Sequence, residues 1–390
     1  MDSLDAYATR KLADIEGRGL LRHLVTTHRG PGGAATQGGR RLISFCCNDY
    51  LNLSQNREVI ASAQAAAAEY GAGAGGSRLV TGNYPLLAEL EDRLARLKGT
   101  EAACVFGSGY LANIGIIPCF AGPDDVIFID ELAHACLFAG ARMSRAATHV
   151  FRHNDMDHLQ ALLDRQRNRH RHALVITDGV FSMDGDLAPL DIMGPLARAH
   201  DAWLLTDDAH GIGVVGRDGR GSSFAFGSEK ADVPLQMGTL SKAVGSYGGY
   251  LCASEPVIAL VRNRARSLVF TTAPPPASIG AALAALDIIE RDAELRQAPL
   301  AKARLFTDFL GLPDPQSPIV PIIVGAPDRA VEASRKLRDQ GFLVNAIRPP
   351  SVPEGTARLR VTFMANHGDE DVLRLARAVK ALGLSGACVP

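Results

Sequence analysis

The stretch VPLQMGTLSKAVGSYGG, residues 233–249, joins a short apolar run to a turn of small residues around one lysine, Lys242. The run VPLQM reads as a buried strand, and GTLSKAVGSYGG as the loop leaving its carboxyl end. No neighbour of Lys242 in sequence is bulky enough to bury it for packing reasons. A lysine in such a pocket can lose its proton and attack an aldehyde as an amine nucleophile. A surface lysine in a glycine loop is spelled the same way, so this stretch alone leaves both readings open.

Working outward, AACVFGSG, DVIFID, ALVITDG and AWLLTDD repeat the arrangement between about residue 30 and residue 280. Each run is short, continuous and rich in Val, Ile and Leu, and most end on Gly, Asp or Thr. That pattern predicts an α/β fold with a mostly parallel sheet covered by helices. Functional groups then collect at the carboxyl ends of the strands. Residues 1 to about 30 read as an amphipathic helix followed by the glycine-rich turn GPGGAATQGG. A long helical stretch over 277–310 leads to IVPIIVG, LVNAIRPP and RLRVTF, three strand patterns of different rhythm. The expected organisation is an N-terminal helix and arm (1–45), a large domain (46–283) and a smaller C-terminal α+β domain (284–390).

Composition narrows the function. With 47% hydrophobic and 21% charged residues over 390 positions, the chain is that of an ordinary soluble protein. A net charge of -1 excludes broad binding to nucleic acid or anionic membrane. No stretch approaches ~20 uninterrupted apolar residues, and the acidic N-terminus lacks the apolar core of a secretory signal. Seven cysteines without a CxxC pair point to free thiols in a reducing cytoplasm, and no metal is implied. The run RQRNRHRH (165–172) reads as a solvated helix end and loop before a strand.

Under the parallel-sheet reading the residues that follow each strand converge. After AWLLT come Asp207 and His210, three apart. After AACVF comes a glycine turn opening a helix, whose backbone N–H groups at Ser108, Gly109 and Tyr110 suit a phosphate. After VIFID comes His134, a flat imidazole able to lie on a flat ring; after ALVITDG comes Ser182, a hydroxyl donor. Thr239 precedes Lys242 by three. Each alone has a structural alternative: strand-end capping for the Asp-Asp pair, a turn histidine, a packing histidine, a glycine that ends a strand. Together these strand ends offer what one cofactor needs. Pyridoxal phosphate pairs a lysine on its aldehyde with an acid on its ring nitrogen, which keeps the ring an electron sink.

The segments CNDYLNLS, GAGGSRLVTGNY, FGSGYLANIG, DELAHA, FRHND, GVFSMDGD, DDAHGIGVVG and GTLSKAVGSYGGYL resemble the α-oxoamine synthase family of pyridoxal-phosphate enzymes. AIRPPSVPEGTARLRVTF extends the likeness to the C-terminal part. The resemblance implies a fold-type I pyridoxal-phosphate transferase, homodimeric, with active sites at the subunit interface. It implies that Lys242 holds the cofactor, Asp207 pairs with its ring nitrogen, His134 stacks on the ring, and Ser182 and His210 reach its phenolic oxygen. Ser108, Gly109, Tyr110 and Thr239 match phosphate or cofactor contacts, and Thr271 and Thr272 match contacts to the neighbouring subunit's phosphate. Arg22, Asn48, Ser77, His134, Ser351 and Arg360 match substrate-side positions. In ARLRVTF the alternation puts Arg358 and Arg360 on one face, and periodicity does not choose between them; the resemblance chooses Arg360 as the two-pronged grip on a carboxylate. Asn52 stands where relatives often have glycine, and Asp178 where they often have glutamate.

The activity so implied is a decarboxylating condensation of an amino acid with an acyl thioester: L-alanine with a pimeloyl group carried on coenzyme A or on an acyl carrier protein. Ser77 leaves room for a donor with a side chain, where glycine-using relatives often carry threonine. Glycine with succinyl- or acetyl-CoA is the alternative within the family, and a non-catalytic cofactor-binding regulator the alternative outside it.

Overall fold

The computed structural model describes residues 3–18 and 20–384. It opens with a helix over Leu4–Gly17, shorter than the helix expected to reach about residue 30. Glycines at 17 and 19 remove helix propensity there. The chain then forms strands β1 (His28–Arg29), β2 (Ala34–Gln37) and β3 (Arg40–Ser44).

The central sheet has seven strands: β4 (Ala102–Phe106), β5 (Val126–Asp130), β6 (Ala147–Phe151), β7 (Ala173–Asp178), β8 (Trp203–Asp207), β9 (Leu235–Thr239) and β10 (Gly249–Ala253). Their order is β4-β10-β9-β8-β7-β5-β6. Every pairing from β9 to β6 is parallel, while β10 runs antiparallel to both β4 and β9. The sheet is therefore mostly parallel, as the apolar runs predict. Strands β4, β5, β7, β9 and β10 are buried along their whole length, which is why the first four read as continuous apolar runs instead of alternating ones. The edge strand β6 alternates and escaped that reading, as did β10, whose Gly249 reads as the tail of the lysine loop.

The single helix expected over 277–310 is two, Pro276–Arg291 and Ala293–Leu310, broken at Asp292. Asp292 adopts an extended backbone, and its carboxylate accepts from the Leu295 N–H at 2.9 Å, so it caps the second helix instead of continuing the first. The first of them packs closely on the helix Arg57–Tyr70: a Cβ added at Gly280 would come within 2.7 Å of the Ala66 Cβ.

The last strands are β11 (Ile319–Gly325), β12 (Phe342–Leu343), β13 (Asn345–Ile347) and β14 (Ala357–Thr362). Strands β11, β14 and β13 form an antiparallel sheet, and β12 pairs in parallel with β3, Phe342 opposite Ile43. Phe45 is buried with Phe306, Phe342 and Phe363, its ring 6.1 Å from Phe342 and 5.8 Å from Phe363. A buried ion pair joins the helix Pro85–Lys98 to the end of β8: Lys98 Nζ lies 2.8 Å from Asp208 Oδ2, and both side chains are fully buried. Among the described residues no helix is long and apolar enough to cross a membrane.

Candidate active site

The carboxyl ends of the parallel strands surround a cavity of about 240 Å³. Strand β8 ends on Asp207, β7 on Asp178 and β9 on Thr239, and Asp178 and Asp207 are paired in register. The loop after β9 brings Lys242 to the cavity, and that after β5 brings His134. Beyond β4, Ser108 caps the helix Gly109–Phe120, its hydroxyl accepting from the Leu111 N–H. Ser182, Tyr110, His210 and Cys136 also line the wall. Thus Lys242, Asp207, His210, His134, Ser108, Gly109, Tyr110, Ser182 and Thr239 meet in one cavity, although they come from five strand ends.

Lys242 Nζ sits 2.7 Å from His210 Nε2 and is ion-paired to no carboxylate among the described residues. Burial pulls its amine down to about 8. His210 is pushed well below its ordinary range by burial, and by the charges of Lys242 and Arg360. Its Nδ1 lies 2.6 Å from the Tyr50 hydroxyl. Asp207 accepts from the Ala209 N–H at 3.0 Å and from the Asn113 amide at 2.7 Å. Asp178 accepts from the His134 N–H at 3.0 Å, and burial together with the neighbouring Asp207 charge holds it well above the usual carboxylate range. The Thr239 hydroxyl bonds the Gly248 carbonyl at 2.7 Å, closing the lysine loop.

All six residues of β14 are buried. Arg358 is ion-paired with Asp184. Arg360 meets neutral acceptors only: its Nε donates to the Ser182 carbonyl and its Nη1 to Asn48 Oδ1 at 3.0 Å. The two arginines that periodicity left equivalent therefore differ in charge balance, and the uncompensated one is Arg360. A second cavity, of about 460 Å³, is lined by Ser351 and shares His134 and Ser182 with the first.

Six expected positions line neither cavity: Asn48 and Arg360, joined to Ser182 as just described, and Arg22, Ser77, Thr271 and Thr272. Arg22 is exposed ahead of β1. Ser77 and Thr272 face each other in an isolated antiparallel bridge, with Thr271 beside them. Asn52 takes the left-handed backbone (φ 54°) that a glycine would adopt freely and that asparagine tolerates. The sequence reading passed over Tyr50, Asn113, Cys136 and, as a site residue, Asp178. For Asp178 a signal was present: it ends its strand as Asp207 ends the next. Asn113 stands one helical turn after Gly109, and so returns to the same face.

The aminotransferase class I and II family model matches residues 40–379. An 8-amino-7-oxononanoate synthase of Methylocella silvestris is 65% identical over 88% of this chain and 97% of its own length. One of Beijerinckia indica is 58% identical over 98% of each. Among solved structures, a serine palmitoyltransferase of Sphingomonas wittichii superposes with a TM-score of 0.91 at 32% identity, covering 98% of this chain and 100% of that one. An 8-amino-7-oxononanoate synthase of Francisella tularensis does so with a TM-score of 0.75 at 25% identity, covering 87% and 97%. With the lysine, the paired carboxylates and the arginine gathered as described, the chain belongs to the aminotransferase class I and II family and, within it, to the α-oxoamine synthases.

Proposed function

We propose that the protein condenses L-alanine with a pimeloyl thioester, releasing carbon dioxide and the thiol and forming 8-amino-7-oxononanoate. The observation that carries this is the buried Lys242 amine, drawn down to about 8 and set against neutral His210 in a cavity that also holds Asp207. The high identity to synthases of that name supports the substrate pair.

The cavity fits pyridoxal phosphate. Lys242 supplies an amine that burial draws down although the Asp207 and Asp178 charges oppose this, Asp207 an acid for a ring nitrogen, and the Gly109 turn a backbone cradle. A Cβ at Gly109 would lie 3.1 Å from Met237 Cε, and one at Gly249 2.6 Å from the Ser108 carbonyl, so side chains at these positions would push the turn out of place. Ser108, Gly109, Tyr110 and Thr239 would hold the phosphate at a helix N-terminus. His134 would lie on the ring, and Ser182 and His210 would face its phenolic oxygen. When bound, the cofactor supplies an aldehyde for Lys242 and a ring that takes up the charge left when Cα loses its proton.

The remaining work falls to the chain. Arg360, with Asn48, grips the alanine carboxylate and turns one Cα bond for cleavage. Lys242 Nζ, once its amine is free, removes the Cα proton. Asp207 keeps the ring nitrogen protonated. The acyl group enters from the larger cavity, past Ser351, and His210 is the group we assign to polarise its carbonyl. Arg22, Ser77, Thr271 and Thr272, outside the cavity in one chain, are assigned to a homodimer in which the partner completes the site. The described cysteines are all free thiols, in keeping with a cytoplasmic location.

Product analysis tests the reading. L-alanine with pimeloyl-CoA or with the pimeloyl carrier protein is expected to give the amino-oxononanoate, and the faster of the two names the carrier. Faster turnover of glycine with succinyl-CoA would overturn the substrate assignment.

A further inference from the structure

Two buried side chains, Cys136 in the cavity wall and Asn113 beside it, bear on how the cavity's groups are held, an inference that rests on His134 and Asp207 meeting the cofactor as assigned above. Asn113 is fully buried on the helix Gly109–Phe120. Its Nδ2 donates to Asp207 Oδ2 at 2.7 Å and to Cys136 Sγ at 3.1 Å. A carboxylate only accepts, so the amide nitrogen must face Asp207. Cys136, 2% exposed, sits at the start of the helix Ala135–Ser144. Its Sγ lies 2.8 Å from His134 Nδ1, and its backbone N–H donates to the same nitrogen at 3.3 Å.

A backbone N–H cannot accept a hydrogen bond, so Nδ1 of His134 carries a lone pair. Burial lowers the imidazole's affinity for a second proton, leaving the ring neutral with its proton on Nε2. The S–H hydrogen has two acceptors in reach, His134 Nδ1 at 2.8 Å and Asp207 Oδ2 at 3.9 Å; Asp207 Oδ2 already accepts from Asn113, and the far shorter contact directs the hydrogen to Nδ1. Burial also pushes the thiol up to about 12, so it stays protonated and able to donate. The donors form one chain: Asn113 to Asp207, Asn113 to Cys136, Cys136 to His134. We propose that Asn113 and Cys136 are positioning residues that hold the Asp207 carboxylate and the Nε2–H tautomer of His134 as one coupled unit. The acid for the ring nitrogen and the imidazole for the ring face are thereby set by a shared scaffold, and neither turns independently.

Nitrogen-15 resonances of the histidines in the full-length chain, before and after cofactor loading, test this directly. His134 is expected to show an unprotonated Nδ1 and a protonated Nε2 between about pH 7 and pH 9, above the ordinary imidazole range. Cys136→Ser, which keeps a donor, should retain that pattern and close to the parent's turnover. Cys136→Ala should mix the tautomers and lower kcat by about tenfold with the alanine KM little changed. Asn113→Leu should slow alanine Cα-proton exchange and shift the His134 resonances together. A proton found on Nδ1 in the parent protein overturns the proposal. So does a Cys136→Ser variant as impaired as Cys136→Ala, or a folded Asn113→Leu variant with unchanged exchange and unchanged resonances. Failure to form the amino-oxononanoate would remove the substrate assignment while leaving the tautomer measurement standing.

Discussion

His210 Nε2 lies 2.7 Å from Lys242 Nζ, and burial keeps that imidazole far below its ordinary range. The lysine therefore faces a neutral ring, and its own proton is weakly held, with the amine at about 8 against an ordinary 10.5. Below about pH 8 the amine is charged and does not attack an aldehyde; above it the amine is neutral. Capture of pyridoxal phosphate by the cofactor-free chain is thus expected to accelerate with pH through about 8 and then level off, followed by visible absorbance. An acceleration continuing past pH 10 would mean that Lys242 behaves as an exposed lysine. Lys242→Ala should show no capture.

Arg360 and Arg358 should separate by readout. Arg360→Lys keeps a charge but loses the planar fork, and is expected to raise the alanine KM by roughly tenfold while cofactor absorbance persists. Asp184→Ala leaves Arg358 buried without its counter-ion and should cost about 3 kcal/mol of stability, measured by denaturant unfolding. If both variants change KM alone, the division between grip and support is wrong.

Asp207→Asn keeps the shape of the carboxylate and removes its charge. Cofactor binding should survive, while exchange of the alanine Cα proton falls by roughly 10²-fold. Near-normal exchange, read by proton NMR in heavy water, would contradict the role given to Asp207.

Lys98 and Asp208 form a pair with no exposed atom. Lys98→Met should destabilise the protein by about 3 to 5 kcal/mol, since it strands a buried carboxylate, and Lys98→Met with Asp208→Leu should recover part of that loss. A double variant no more stable than the single one would show that Asp208 matters for other reasons, such as the Ser222 N–H it accepts at 3.0 Å.

His153 is held between Asp130, at 3.1 Å, and Asp186, at 2.8 Å. Burial opposes its charge, but hydrogen bonds to both carboxylates overcome it and push the imidazole up to about 10. A raised folded-state value means that the stabilisation is complete below the unfolded value near 6.5 and is lost as pH rises through about 10. His153→Gln should therefore cost about 2 kcal/mol at pH 6, a gap that narrows steadily toward pH 10 in unfolding titrations. A gap independent of pH would rule out the charge.

Much of this was legible because the parallel strands are buried on both faces. Runs such as VIFID and ALVITD stay apolar until the strand nears its end, and they lead to His134 and Asp178 at the cavity. The same logic hid β10: a reversed strand that starts at Gly249, on the tail of the lysine loop, carries no polar terminus to mark it. The break at Asp292 was hidden because an aspartate inside a helical pattern and one capping a new helix are spelled alike. Arg358 and Arg360 share a face, and only Asp184, 174 residues away, tells them apart. Cys136 reads as one more small apolar residue; its hydrogen bond to His134 exists only once the helix start is folded.

The pairing of β3 with β12 sets an order of events. Residues 43 and 44 wait for partners at 342 and 343, a contact that cannot form until nearly nine-tenths of the chain has been made. Asn48 waits longer still, for Arg360. A nascent chain emerging from the ribosome thus has Lys242 and its cavity available well before the arginine that grips the amino acid. The partly made protein is one that could take up its cofactor with nothing yet to bring a substrate to it.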